Sequence, residues 1–198
     1  RDYPDNYFDL AIVDPPYGIN VNINMGRRKG GKKSEYHKFA GGDADSPPVE
    51  YFNELKRVSA DQIIWGANHF IEKMPWNSPK WLMWDKGFSD KVTFAQFEMA
   101  WTSIKGTCKK FEMHPNDQNR IHPTQKPVKL YQWLYDNYSK QGQKILDTHL
   151  GSGSNAIAAY YAQMGEFVGV ELDADYFNLA EARIKQETKQ VDMFAGVI

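Results

Sequence analysis

Residues 144–173, KILDTHLGSGSNAIAAYYAQMGEFVGVELD, constrain the chain more than any other stretch. They read as a short apolar strand, a glycine turn, an alanine-rich helix and a second apolar strand ending in an acid, which together make a βαβ unit. Strands joined by a helical crossover lie parallel, and parallel sheets carry helices on both faces. The rest of the chain keeps the alternation. FDLAIVD (8–14), QIIWGA (62–67), KWLMWD (80–85) and FEMAWT (97–102) read as strands, and VEYFNELKRVS (49–59) as a helix. After Pro127, VKLYQWLYDNYSK reads as an amphipathic helix with Leu130, Trp133 and Leu134 on one face, and residues 175–185 as a closing helix. The expectation is an α/β fold with a mainly parallel twisted sheet. With 198 residues and no internal repeat, one domain is expected.

Two places in this pattern carry chemistry. The first is the turn Asp147-Thr148-His149-Leu150-Gly151-Ser152-Gly153-Ser154. A strand that opens through Gly-x-Gly into a helix lets a ligand reach bare backbone at the helix start. Glu171 follows Gly151 by 171 − 151 = 20 residues, at the end of the next strand, where an acid can accept ribose hydroxyls. With Ala156 the stretch also fits G-x-G-x-x-A, so on its own it indicates an adenosine-type ligand without choosing which. A dinucleotide fold needs two mononucleotide-binding halves, and only 198 − 150 = 48 residues follow Leu150. A nucleotide half moved to the C-terminal side, with another half before it, fits better.

The second place is AIVDPPYGIN (11–20), where an apolar strand meets a carboxylate, two prolines and an aromatic ring. Consecutive prolines end the strand and stiffen the turn, so Asp14, Pro15, Pro16 and Tyr17 sit on a rigid support. Gly26 to Lys38 follows with six Lys or Arg against one Glu. Placed beside that turn, Arg27, Arg28, Lys29, Lys32, Lys33 and Lys38 form a local basic patch suited to phosphate groups. Lys105 to Arg120 is polar and irregular and reads as a small recognition insert or as a long connection, ending in a further basic residue, Arg120.

Composition removes other classes. A net charge of −1 and a pI near 6.6 exclude a bulk-basic nucleic-acid binder, so phosphate contacts must be local. The single cysteine, Cys108, allows no internal disulfide and suits a reducing compartment. The five histidines show no metal-ligand spacing, and no metal is expected. No apolar run approaches the ~20 residues of a membrane span, so a soluble cytoplasmic protein without membrane contact is the expectation.

DPPYG early, HPTQKPVKL in the middle and LDTHLGSGSNA with GVELD late resemble the S-adenosylmethionine-dependent DNA amino-methyltransferases of the permuted β class. WGANHF (65–70) and MWDKG (83–87) resemble strand ends of the same fold. The resemblance implies a Rossmann-like methyltransferase fold. It divides the chain into a catalytic half (1–104), an insert (105–120), a cofactor half (121–187) and a tail (188–198). The implied activity is methyl transfer from S-adenosyl-L-methionine to the amino group of a base flipped out of double-stranded DNA. By family habit DPPY indicates adenine-N6; cytosine-N4 and a silent nucleotide-binding module are the alternatives.

Asp14 and the Pro15 carbonyl would accept hydrogen bonds from the amino group and favour its nucleophilic form, and Tyr17 would stack on the base. The resemblance implies further that Asp147 meets the methionine ammonium, that Gly151, Ser152 and Gly153 form the close-approach turn, and that Glu171 holds the ribose. It places His122, Pro123, Thr124 and Lys126 on the far wall of the cofactor site. His149 stands where relatives more often carry Phe. Relatives also tend to carry a short acidic strand before a segment like Pro4-Asp5-Asn6, so a missing N-terminal piece is expected. A short or relaxed recognition site, read by a homodimer, is expected from so small an insert. Finally, Gln190-Val191-Asp192-Met193-Phe194 resembles peptides that dock on the bacterial sliding clamp, with Gln190, Asp192, Met193 and Phe194 as the contact residues.

Overall fold

A computed structural model describes residues 2–20, 43–74, 76–91, 95–115 and 120–192, with side chains through 189. Seven strands form one sheet in the order β5-β3-β4-β2-β1-β6-β7. They are β1 (Phe8–Val13), β2 (Ser59–Trp65), β3 (Trp81–Asp85), β4 (Phe97–Thr102), β5 (Lys109–Glu112), β6 (Lys144–Asp147) and β7 (Glu166–Gly169). The helices are α1 (Val49–Val58), α2 (Val128–Tyr138), α3 (Ser154–Tyr161) and α4 (Ala174–Asp192). Every strand pair is parallel except the two that β4 makes, with β2 and with β3. The expected α/β fold is therefore present, with one reversed strand.

Central strand β1 is buried on both faces, as its near-continuous apolar run requires. Leu10 and Ile12 pack with Ile63, Trp65, Leu82 and Ile145 beneath α2 and α3. Ala11 and Val13 face the other way, with Ile64 and Leu146, against Phe52 and Leu55 of α1. Alternation along each strand thus divides one apolar set into two cores.

Three boundaries differ from the sequence reading. β2 starts at Ser59 rather than Gln62 and ends at Trp65, because α1 runs into it with no intervening loop and β1 pairs with its polar start, Phe8 to Ser59 and Leu10 to Asp61. Residues 109–112, placed in an irregular insert, form the edge strand β5. Only Phe111 carries an apolar signal there, packing near the Trp133 ring, while Lys110 sits between Asp85 and Glu112. Lysines on an exposed edge discourage pairing with other chains, and they also hide the strand from a hydrophobic pattern. The last helix continues to Asp192 instead of ending at Lys185. That places the backbone of Gln190 and Asp192 in α4; their side chains, and all of Met193 and Phe194, lie outside the described residues, as do Arg27, Arg28, Lys29, Lys32, Lys33 and Lys38. Among the described residues no helix is long and apolar enough to cross a membrane.

Candidate active site at the carboxyl ends of β1 and β6

β1 and β6 lie side by side, with Leu10 opposite Ile145 and Ala11 opposite Leu146. From β1 the chain proceeds through α1 to β2 on one side; from β6 it proceeds through α3 to β7 on the other. Such a reversal opens a crevice beyond the carboxyl ends of the strands, where open α/β sheets bind ligands. Asp14 follows β1 directly and Asp147 ends β6, so the two chemical stretches read from the sequence meet in that crevice. Asn155, in the first turn of α3, joins them: its amide donates to the Ile12 carbonyl at 3.2 Å and to Asp147 Oδ2 at 2.9 Å, while its oxygen accepts from Tyr135 at 2.6 Å.

The Asp14 side is ionic. Lys126 Nζ donates to Asp14 Oδ2 at 2.5 Å and lies 3.0 Å from Glu98 Oε2. Lys86 holds the other Glu98 oxygen at 2.6 Å. Burial works against the Lys126 ammonium, yet Asp14 and Glu98 outweigh it and raise its pKa above the usual lysine value. Burial likewise opposes the Glu98 carboxylate, but Lys126 and Lys86 bring it down to about 2. Lys126, expected on the far wall of the cofactor site, points its charge at Asp14, over the rings of Trp65 and Tyr17.

Tyr17 is held on every side. Its hydroxyl donates to Asp14 Oδ1 at 2.7 Å, and its backbone N–H donates to Asp43 Oδ1 at 2.6 Å. Burial, then Asp14 and Glu98, push its phenol pKa well above 10. The ring that was expected to stack on a base lies parallel to His69, 5.1 Å between centroids. Gly66 passes beneath with φ +70°, and a Cβ there would come within 2.0 Å of the ring.

The Asp147 side is neutral. Asp147 is 2 % exposed and accepts from the His149 N–H at 3.0 Å and from Asn155. Burial raises its pKa to about 7, and no ion pair among the described residues reaches it. Burial lowers His149 to about 4, so its ring supplies no cation. Its Nδ1 lies 2.9 Å from Thr148 Oγ1, which meets the Tyr51 hydroxyl of α1 at 2.6 Å.

In the glycine turn, Gly151 has φ +53° and a Cβ there would meet only the His149 carbonyl at 3.9 Å, leaving that side open to a ligand. Glu171 lies against it, accepting from the Gly151 N–H at 2.8 Å and the Asp173 N–H at 3.0 Å. Gly153 turns inward onto Ile184 of α4, and the buried Ser152 hydroxyl turns to Ser154 rather than to the crevice. Arg183 fixes the turn from outside by donating to the Ser152 carbonyl.

Residues 122–126 link the two sides. His122 packs on Tyr176 at the start of α4, 4.5 Å between centroids, and its Nδ1 faces the Thr124 hydroxyl at 3.1 Å; Lys126 ends the segment at Asp14. Burial lowers His122 to about 4. Arg120 donates to the Gln125 carbonyl at 3.0 Å, so it ties this segment down. Glu98, Lys86, Asn155, Tyr51, His69 and Asp43 were not found from the sequence. Asn155 lies inside the quoted LGSGSNA stretch without having been singled out, WGANHF and MWDKG, as strand ends, pointed near His69 and Lys86, and Glu98, Tyr51 and Asp43 carry no motif.

The family model for DNA methylases of the N6/N4 type matches residues 64–182. YubD of Escherichia coli (strain K12), named as a methylase, is 26% identical over 200 residues, covering 92% of this chain and 84% of that one. The type II methyltransferase M.HpaI of Haemophilus parainfluenzae is 31% identical over 78 residues, 39% of this chain and 24% of its own. Among solved structures, the M1.HpyAVI–SAM complex superimposes with a TM-score of 0.58 at 16% identity, covering 90% of this chain and 89% of that one. The PvuII DNA methyltransferase, which is cytosine-N4-specific, gives 0.58 at 10% identity over 95% and 86%. At such identities the two structures speak to the fold.

Proposed function

The chain belongs to the N6/N4 DNA methylase family, and from that premise we propose that it transfers a methyl group from S-adenosylmethionine to adenine N6 in double-stranded DNA. The observation that carries this reading is the meeting of Asp14-Pro15-Pro16-Tyr17 and the Asp147–Gly153 turn in one crevice, bridged by Asn155. When bound, S-adenosylmethionine would supply a sulfonium methyl to the amine nitrogen, the C–S electron pair staying with sulfur and the amine proton passing to solvent.

The residues on the cofactor side fit that molecule. Asp147 is buried beside neutral donors only, and a ligand ammonium would provide the missing positive charge. Gly151 admits the ligand to the backbone, Glu171 stands where ribose hydroxyls would reach it, and His122 to Thr124 would close the opposite wall. On the other side Asp14 and the Pro15 carbonyl would accept from the amino group, on a support the prolines keep still. Aspartate in the DPPY position favours adenine, by family habit. The equal overlap with a cytosine-N4 enzyme keeps the second target in the test.

Incubation of unmethylated DNA with the protein and methyl-labelled S-adenosylmethionine, then digestion to nucleosides, decides between them. N6-methyladenine is the expected product. N4-methylcytosine would overturn the adenine assignment, and an unlabelled digest would overturn the methyltransferase reading.

A further inference from the structure

This inference rests on the methyltransferase reading of the crevice. Asp14 is the carboxylate that would receive the target amine, yet both of its oxygens are already engaged, Oδ1 by the Tyr17 hydroxyl at 2.7 Å and Oδ2 by Lys126 at 2.5 Å. Lys126 also donates to the Tyr17 hydroxyl at 3.2 Å, and the two donors share one further carboxylate atom: Glu98 Oε2 lies 3.0 Å from Lys126 Nζ and 3.3 Å from the Tyr17 hydroxyl. The opposite oxygen, Oε1, is anchored by Lys86 at 2.6 Å. Glu98 enters from β4, the one reversed strand, opposite Trp84 of β3. Asp14, Lys126, Glu98 and Lys86 therefore alternate in sign and sum to zero charge.

We propose that Glu98 is a positioning residue that receives the Lys126 ammonium and the Tyr17 hydroxyl when the target amino group takes their places on Asp14. The Lys126 side chain is only 3% exposed, and an ammonium so buried cannot leave one carboxylate without reaching another. Glu98 is that second carboxylate, held ready by Lys86. It acts again as the reaction proceeds. Positive charge grows on the amine nitrogen during methyl transfer, and Lys126, left to Asp14 alone, would oppose it. By sharing Lys126, Glu98 leaves Asp14 with net negative charge toward the nitrogen, where a fixed charge acts most strongly.

The test uses the full chain as wild type, Glu98→Gln, Glu98→Asp, Lys126→Met and the double variant Glu98→Gln/Lys126→Met, with thermal melts to establish folding. Single-turnover methyl transfer to DNA and calorimetric affinity for S-adenosylmethionine are measured on each. Glu98→Gln is expected to slow transfer by ~10–100-fold, the usual loss for an outer partner of a reacting group, with cofactor affinity unchanged. Glu98→Asp, which keeps the charge, should recover part of the rate. In the Lys126→Met background Glu98→Gln should cost little more, because the ammonium it serves is gone.

A wild-type rate in Glu98→Gln, an equal fold-loss in both backgrounds, or a rate loss matched by lost cofactor affinity would each overturn the proposal. Should Glu98→Gln fail to fold, Lys86→Met carries the same comparison: a smaller loss suppressed by Lys126→Met supports it, and a wild-type rate overturns it. A wild-type chain that methylates no DNA fails the methyltransferase reading and this inference with it, whereas a methylating wild type with an equally fast Glu98→Gln fails the inference alone.

Discussion

Asp14 and Asp147 occupy equivalent places, at the carboxyl ends of neighbouring parallel strands, and their surroundings differ in kind. Asp14 meets a buried ammonium and a phenol, within a chain of four alternating charges. Asp147 meets an amide and a backbone N–H, and burial lifts its pKa to about 7. Strand geometry brings the two carboxyl groups to the same crevice, and the elements packed around them set their partners. Asp14 is supplied with its own cation; Asp147, lifted by burial, meets no cation among the described residues.

That contrast can be broken most directly at Asp14. Asp14→Ala should reduce methyl transfer by ~10²–10³-fold or more, as removal of a preorganised group at a reacting centre does, with S-adenosylmethionine affinity unchanged by calorimetry. Loss of cofactor affinity in that variant would show that the two aspartates do not divide the work.

Asp147→Asn should do the reverse and weaken S-adenosylmethionine by roughly 10–100-fold, the worth of a hydrogen bond to a charged group. Because the acid titrates near 7, wild-type affinity should rise as pH increases through that value, and the asparagine variant should lose the slope. The sign for stability is opposite. A raised carboxyl pKa favours the fold below its ordinary value of 3.8, and that contribution is lost as pH rises through about 7. Denaturation of the ligand-free protein at alkaline pH should then find Asp147→Asn more stable than wild type.

Glu98 supplies the complementary pH window. Its pKa is depressed from 4.5 to about 2, so its contribution is present above 4.5 and disappears as pH falls from there toward 2. Denaturant melts across that interval should show a shallower acid limb in Glu98→Gln.

The smallest effect concerns the frame. Gly153 has φ +75°, and a Cβ would sit 2.9 Å from Ile184, so Gly153→Ala should cost ~1–2 kcal/mol of stability from backbone strain with added crowding. A Gly151→Ala variant carries similar left-handed backbone strain at φ +53° but no crowding, and comparing the two by calorimetry and denaturation separates loss of ligand approach from loss of packing.

Legibility in the sequence followed the range of the forces involved. Strands β1, β3, β4 and β6 and helices α1 and α2 were readable because local apolar periodicity or a run of branched residues reports burial directly. Lys109–Glu112 was not, since this edge strand partly buries one side chain, Phe111, and satisfies its backbone on one neighbour only. Ser59–Asp61 was missed because pairing with β1, 51 residues upstream at Phe8 and Ser59, makes it a strand, and nothing local does. Lys126 shows the same limit at the site. Its motif placed it near the crevice, and only the packed structure aims its ammonium at Asp14.

The sequence by itself determined that the first strand of a βαβ unit opens through a glycine turn into a helix and that a proline-stiffened carboxylate stands earlier in the chain, because each of these is written in residues close along the chain. Tertiary structure decided the charge pattern: which aspartate has a lysine, that Glu98 and Lys86 complete a neutral row, that Asn155 ties β1 to β6, and that Tyr17 lies on His69 over Gly66. Coulombic and desolvation energies depend on distances between groups far apart in the chain, 112 positions for Asp14 and Lys126 and 143 for Ile12 and Asn155, and those distances exist only once the sheet has closed.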